Sequence, residues 1–213
     1  MGGTITAIRI QKKNPRRASL YLDGKFALGL AVEVVQDWGL RRGQVLGEAE
    51  LEALRRAEGE HRALRDALRL LNERPRSTSE VRERLMRRGH KEEQVERVLA
   101  RLTELGLLDD RAFAWAWVEN RRTFRPRGRP ALAAELRKKG LSPEVIAEVL
   151  EASRPEEEAA QALELARRRA PALRGLDRSA FLRRLQAFLA RRGFPAEVVR
   201  RVAGQVWEEQ EVE

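Results

Sequence analysis

Leu136-Arg137-Lys138-Lys139-Gly140 has a counterpart on either side of it in the chain, Leu85-Met86-Arg87-Arg88-Gly89 before and Leu189-Ala190-Arg191-Arg192-Gly193 after. The three glycines are 51 and 53 residues apart. Aligned on them, Val81, Leu132 and Leu185 share one register, and Leu85, Leu136 and Leu189 a second. Beyond the glycine, Val95, Ile146 and Val199 share a third, and Val98, Val149 and Val202 a fourth. Apolar residues four apart, closed by a basic pair and a glycine, predict a helix whose last turn sets cations against the negative end of its dipole and which stops at a left-handed residue. Behind Lys91-Glu92-Glu93, Ser142-Pro143-Glu144 and Pro195-Ala196-Glu197, a second apolar pair predicts another helix, with acid or Pro in its first turn. One such unit cannot bury its own apolar faces, so a period near fifty residues implies a tandem array in which neighbours complete the core.

Composition narrows the function classes. Across 213 residues, 43 basic and 33 acidic side chains leave a net charge of +10, which favours polyanionic partners such as nucleic acid or an acidic protein groove. Cysteine is absent, which excludes disulfides, thiolate zinc sites and a thiol nucleophile. No apolar run is long enough to span a membrane and the first residues lack a secretory pattern, so a soluble, cytoplasmic protein is expected. Thirty-seven of the basic residues are Arg, which suits a thermophile or a host with Arg-biased codons equally.

The chain opens as a small sheet. Residues 4–10 alternate loosely, 18–22 better, and Asp23-Gly24 before 25–30 is a strong hairpin signal. A short helix over 32–38 ending at Gly39, a loop at 40–43 and a helix over 48–60 follow. The repeats should then begin with a separate helix over 61–72, broken at 73–76, with Ser77-x-x-Glu80 as a capping box for the next. The expected fold is mainly α: three three-helix repeats over 59–108, 109–153 and 154–213, preceded by a β-hairpin and short helices over 1–58. In the third repeat, 155–169 reads as helix, 171–177 as a long loop, and 178–192 and 195–208 as helices with a fraying acidic end.

Few residues suggest chemistry. Asp109-Asp110 invites a metal or acid/base reading, but an Asp at the start of a helix is better explained as an N-cap. His61 and His90 have no Cys or second His near them in sequence and read as surface residues. No Gly-rich phosphate loop, zinc spacing or nucleophile elbow occurs, so binding without catalysis, cofactor or metal is expected. The informative window is 120–139, where Arg121, Arg122, Arg125, Arg127, Arg129, Arg137, Lys138 and Lys139 face a single acid, Glu135. Residues 111–154 hold 10 basic and 5 acidic side chains against 11 and 10 for 155–213, so the segment 111–154 carries half of the net charge. Lys138 and Lys139 have a structural explanation, since every repeat puts cations at that helix end. The arginines at 121–129 have none in sequence and point to a polyanion or an acidic partner. Trp115 and Trp117 cannot both face one core, so one of them is a candidate interface anchor.

Leu105-Gly106-Leu107-Leu108-Asp109-Asp110, followed by Phe113-Ala114, Val118, Arg121, Gly128, Glu135-Leu136 and Lys139-Gly140, resembles the central pattern of the RecX family of recombination regulators. Arg76, Ser77, Ser79 and Glu80 support it upstream, and the match spans roughly 61–152. Val81 stands where that family more often has Leu. The resemblance implies a negative regulator that binds the RecA–single-stranded DNA filament and suppresses its recombinase, ATPase and co-protease activities, with weak non-specific DNA binding and a monomeric state. On that picture Arg121, Arg122, Arg125, Arg127, Arg129, Lys138 and Lys139 form the contact face, with Trp115 or Trp117 as anchor. The rival reading is a general single-stranded or duplex DNA binder, since helix, Gly turn, helix is also a helix-turn-helix outline. Against it, the third helices start with acids, and the basic window holds one aromatic, Phe124.

Overall fold

The computed structural model describes residues 2–152 and 155–211. The expected boundary between 153 and 154, and the chain end at 212–213, lie outside the described residues. Four strands come from the first quarter of the chain: β1 (Gly3–Gln11), β2 (Asn14–Leu22), β3 (Lys25–Ala31) and β4 (Val45–Leu46), with helix α1 (Val32–Asp37) between the last two. They form an antiparallel sheet in the order β3-β2-β1-β4, and Leu22 pairs with Lys25 across the Asp23-Gly24 turn. Helices follow: α2 (Glu48–Glu73), α3 (Thr78–Arg87), α4 (Glu92–Glu104), α5 (Asp110–Phe124), α6 (Arg129–Lys138) and α7 (Pro143–Glu151). The chain continues with α8 (Pro155–Arg169), a 3-10 turn at Ala170–Leu173, α9 (Arg178–Arg191) and α10 (Ala196–Glu211). The chain divides into two compact units, residues 1–76 with 81–108, and residues 77–80 with 109–213.

All twelve residues of the four repeated registers are buried. Each contributes on the order of 1.5–3 kcal/mol relative to exposure, so the pattern read from the sequence is also where the helices gain their stability. The three glycines close their helices alike, with φ of +80°, +76° and +77° at Gly89, Gly140 and Gly193. In each case the next residue's N–H returns to the leucine four before the glycine: His90 to Leu85, Leu141 to Leu136 and Phe194 to Leu189. That closure buries the residue after the glycine, a fifth register that charge and periodicity concealed because it holds His, Leu and Phe. His90 is accordingly 9% exposed and not a surface residue; its Nε2 lies 3.0 Å from Asp66. Burial works to raise the Asp66 carboxyl, but the His90 hydrogen bond and the Arg88 charge outweigh it and hold it below the usual carboxylate range. His61 is half-buried too, its Nε2 4.0 Å from Glu33 and its Nδ1 without a hydrogen-bond partner among the described residues.

Three expectations need correction. The helices expected over 48–60 and 61–72 are one, α2, because nothing between them breaks a helix. Its first half sets Leu51 and Leu54 under the sheet and its second half sets Ala63 and Ala67 in the repeat-one core. Gly59 sits mid-helix because a Cβ there would meet Gln94 Nε2 of α4 at 1.9 Å. Glu58 beside it is buried, accepting from Arg17 at 2.8 Å and from the Ala31 N–H at 2.7 Å, which fastens helix to sheet. The loop expected over 171–177 begins as the 3-10 turn, with Ala170 and Leu173 in the repeat-three core. The acidic end of α10 does not fray at 208: Arg167 reaches Glu209 with bonds of 2.9 and 2.6 Å. That contact holds Glu209 low, its hydrogen bond outweighing burial.

Candidate interaction face

Repeat two places its basic residues in two different environments. The first is built on Trp117, whose Phe113 and Val118 neighbours lie in the repeat core. Its ring stacks on Phe113 with centroids 5.9 Å apart, and lies under the Arg121 guanidinium at 4.3 Å and the Lys139 ammonium at 4.7 Å. Trp117 Nε1 and Arg121 Nε both donate to Glu135 Oε2, at 2.8 and 2.7 Å, and Arg127 Nε lies 3.8 Å from the other oxygen. Lys139 Nζ donates to Glu80 at 2.7 Å, and its backbone carbonyl accepts from Ser77 Oγ at 2.6 Å. Ser77 Oγ in turn accepts from the Glu80 N–H, as a helix cap should. The two aspartates divide the work expected of one. Asp109 caps α5 by accepting from the N–H groups of Arg111 and Ala112, while Asp110 accepts from the Thr78 N–H at 2.7 Å. Gly140 completes the arrangement, since a Cβ there would lie 2.3 Å from Ser79 Cβ.

Arg121 therefore has structural work that the sequence did not disclose, and Lys139 has more than the helix-end role expected of it. Trp117 has such work too, which leaves Trp115, 40% exposed, as the tryptophan at the surface. The other basic residues are differently placed. Arg122 is 3.7 Å from Glu157 and 3.9 Å from Glu119, at the outer range of an ion pair. Arg129 begins α6 with its N–H donating to Glu158 at 2.7 Å. Arg125 and Lys138 are exposed, and among the described residues neither has a carboxylate within ion-pair reach. Past the end of α5 the chain is pinned: Gly128 N–H donates to Arg192 O at 3.0 Å and Arg127 to Arg191 O at 3.4 Å. Arg122, Arg125 and Arg127 thereby line one wall of a cleft whose other wall comes from α8 and α9.

Among the described residues no group of three or more His, Cys, Asp or Glu side chains is placed to hold a metal ion, and no helix is long and apolar enough to cross a membrane.

Family models match in the order of the fold. Residues 3–47 match the Regulatory protein RecX N-terminal domain, and 63–102, 109–150 and 156–203 match the first, second and third three-helix domains of RecX. The regulatory protein RecX of Thermobifida fusca is 40% identical over 152 residues, covering 71% of this chain and 82% of that one. The chain belongs to the RecX family. The RecX of Streptomyces coelicolor is 43% identical over 143 residues, covering 67% and 76% of the two chains. A crystal structure of regulatory protein RecX superposes with a TM-score of 0.77 at 29% identity, over 92% of this chain and 96% of that one. Seen on the fold, the residues that carry the RecX resemblance, Ser77, Glu80, Asp110, Arg121, Glu135, Lys139 and Gly140, form the buckle around Trp117 and residues 77–80. In this chain they hold the second repeat together.

Proposed function

We propose that this chain binds the RecA–single-stranded DNA filament and restrains it by occupancy, lowering strand exchange, ATP hydrolysis and co-protease activity. It does so as a cytoplasmic monomer, without cofactor or covalent chemistry, and with only weak non-specific affinity for free DNA. The observation that carries this reading is the match of all four RecX domains, in order, along one chain. Charge supports it: a filament lined by acidic protein and phosphate suits a module whose 120–139 window sets eight basic side chains against one acid. The proposed contacts are Arg122, Arg125, Arg127, Arg129 and Lys138, with Trp115 as anchor; Arg121 and Lys139 belong to the same basic set and act chiefly as positioning residues.

The rival reading, a helix-turn-helix on duplex DNA, would use α4, α7 or α10 as a recognition helix. Those helices open on Glu92-Glu93, Glu144 and Glu197, all exposed. The Glu144 carboxyl accepts from its own backbone N–H and from Ser142, which holds it below the usual range and keeps it charged. Anions at that position repel phosphate. Sedimentation with preformed RecA filaments on single-stranded DNA, read together with RecA ATPase, tests the proposal. The chain should pellet only with filaments while hydrolysis falls; a chain that stays in the supernatant and leaves hydrolysis unchanged would refute it.

A further inference from the structure

The three repeats treat the basic residue before the glycine differently. Arg88 lies 3.5 Å from Asp66 and Lys139 lies 2.7 Å from Glu80. Arg192, in the same register, has no carboxylate within ion-pair reach among the described residues; its guanidinium lies over the Phe188 ring, 4.7 Å from the centroid. Burial and then the Arg127 charge push Arg192 below the usual guanidinium range, so a like charge stands where the other repeats supply a counter-charge. These side chains line the cleft of about 650 Å³ introduced above, which carries six arginines and one acid. That acid, Glu164, is already 2.5 Å from Arg168. At the rim stands Phe124, 74% exposed, the last residue of α5.

We infer that this cleft holds a single-stranded nucleic acid, with phosphates on Arg125, Arg191 and Arg192 and a base stacked on Phe124. Of the six, Arg125, Arg191 and Arg192 have no carboxylate within ion-pair reach among the described residues; arginines left so are open to an anion, and a guanidinium offers phosphate a bidentate fork. The exposed ring decides which anion. An acidic peptide would satisfy the arginines and leave Phe124 without a role, and a duplex keeps its base faces stacked inside. An unpaired base has a free face for the ring, and rings beside a basic groove are the usual device for gripping single strands. The pinned wall, fixed by the bonds of Gly128 and Arg127 to the end of α9, presents the site ready-formed.

The cleft is read from its own lining, so its test contains no recombinase, and its failure would leave the filament proposal standing. Fluorescence anisotropy with a labelled oligothymidylate of about 15 nucleotides covers the site. Phe124→Ala should weaken binding by roughly fivefold or more, the stacking of one base, while Phe124→Tyr keeps wild-type affinity. Arg125→Gln with Arg191→Gln should reduce the salt slope by roughly 1.4, two phosphate contacts on a single strand. Both sites are exposed, so circular dichroism melts should match wild type and exclude misfolding. Unchanged oligonucleotide binding by both variants would overturn the inference. So would a polyglutamate peptide that displaces the oligonucleotide at lower concentration and binds Phe124→Ala as well as wild type.

Discussion

Arg121 and Arg125 stand one helical turn apart in the same basic run, yet they belong to opposite environments. Arg121 lies over Trp117 and shares Glu135 with the indole N–H, whereas Arg125 is exposed beside a cleft in which like charges face one another. The difference comes from where carboxylates arrive. Glu135 sits on α6 and Glu80 at the start of α3, and both turn toward the Trp117 buckle. On the cleft side the position equivalent to Glu135 is Phe188, and the counter-charge is missing. A run of arginines thus measures charge and says little about availability; the partners decide which cations hold the fold and which are left for another molecule.

Five substitutions sharpen or break that contrast. The largest effect is expected from Trp117→Ala, which removes the centre of the buckle and should cost about 3–5 kcal/mol in denaturant unfolding. A loss near zero would mean that the ring is not structural. Next come the equivalent glycines. Gly89→Ala has open space around the added methyl and pays only for its left-handed backbone, about 1–2 kcal/mol. Gly140→Ala meets Ser79 as well and should cost about 1–3 kcal/mol more by the same measurement; equal losses would show that the contact yields. Arg121→Ala is expected to lose about 1–2 kcal/mol, the cation–π contact plus a half-buried ion pair. A double-mutant cycle with Glu135→Gln should give a coupling of about 0.5 kcal/mol or more, and strict additivity would deny the pair. Smallest is Arg125→Ala, expected within about 0.5 kcal/mol of wild type because it touches no carboxylate. A larger loss would place Arg125 with the structural set and erase the distinction.

The fold was legible because its signal is local and repeated. Val81, Leu85, Val95 and Val98 announce the same two helices as Leu132, Leu136, Ile146 and Val149, and all are buried. The single long α2 was not legible, since a Glu-Gly-Glu stretch says nothing about whether a neighbour wants the glycine; Gln94, 35 residues on, supplies the reason. The candidate site was half visible. Its charge could be counted, but the pairs that sort it join residues 14 and 59 apart, Arg121 with Glu135 and Lys139 with Glu80. The second aromatic of the cleft, Phe188, comes from another repeat, so a window along the chain could show only Phe124. His90 was misread for a related reason: its burial follows from the closure at Gly89, a geometric consequence that residue type does not reveal.

The central claim is that Arg122, Arg125, Arg127 and Arg129 of repeat two, and not Arg121 over the Trp117 ring, meet the filament. It is tested by RecA ATPase on single-stranded DNA, titrated with the Arg122→Ala, Arg125→Ala, Arg127→Ala and Arg129→Ala variant after its melt has been matched to wild type. Half-inhibition should shift to roughly tenfold higher concentration or beyond, equivalent to about 1.4 kcal/mol of lost binding. Full inhibition by the folded variant at the wild-type concentration would contradict it.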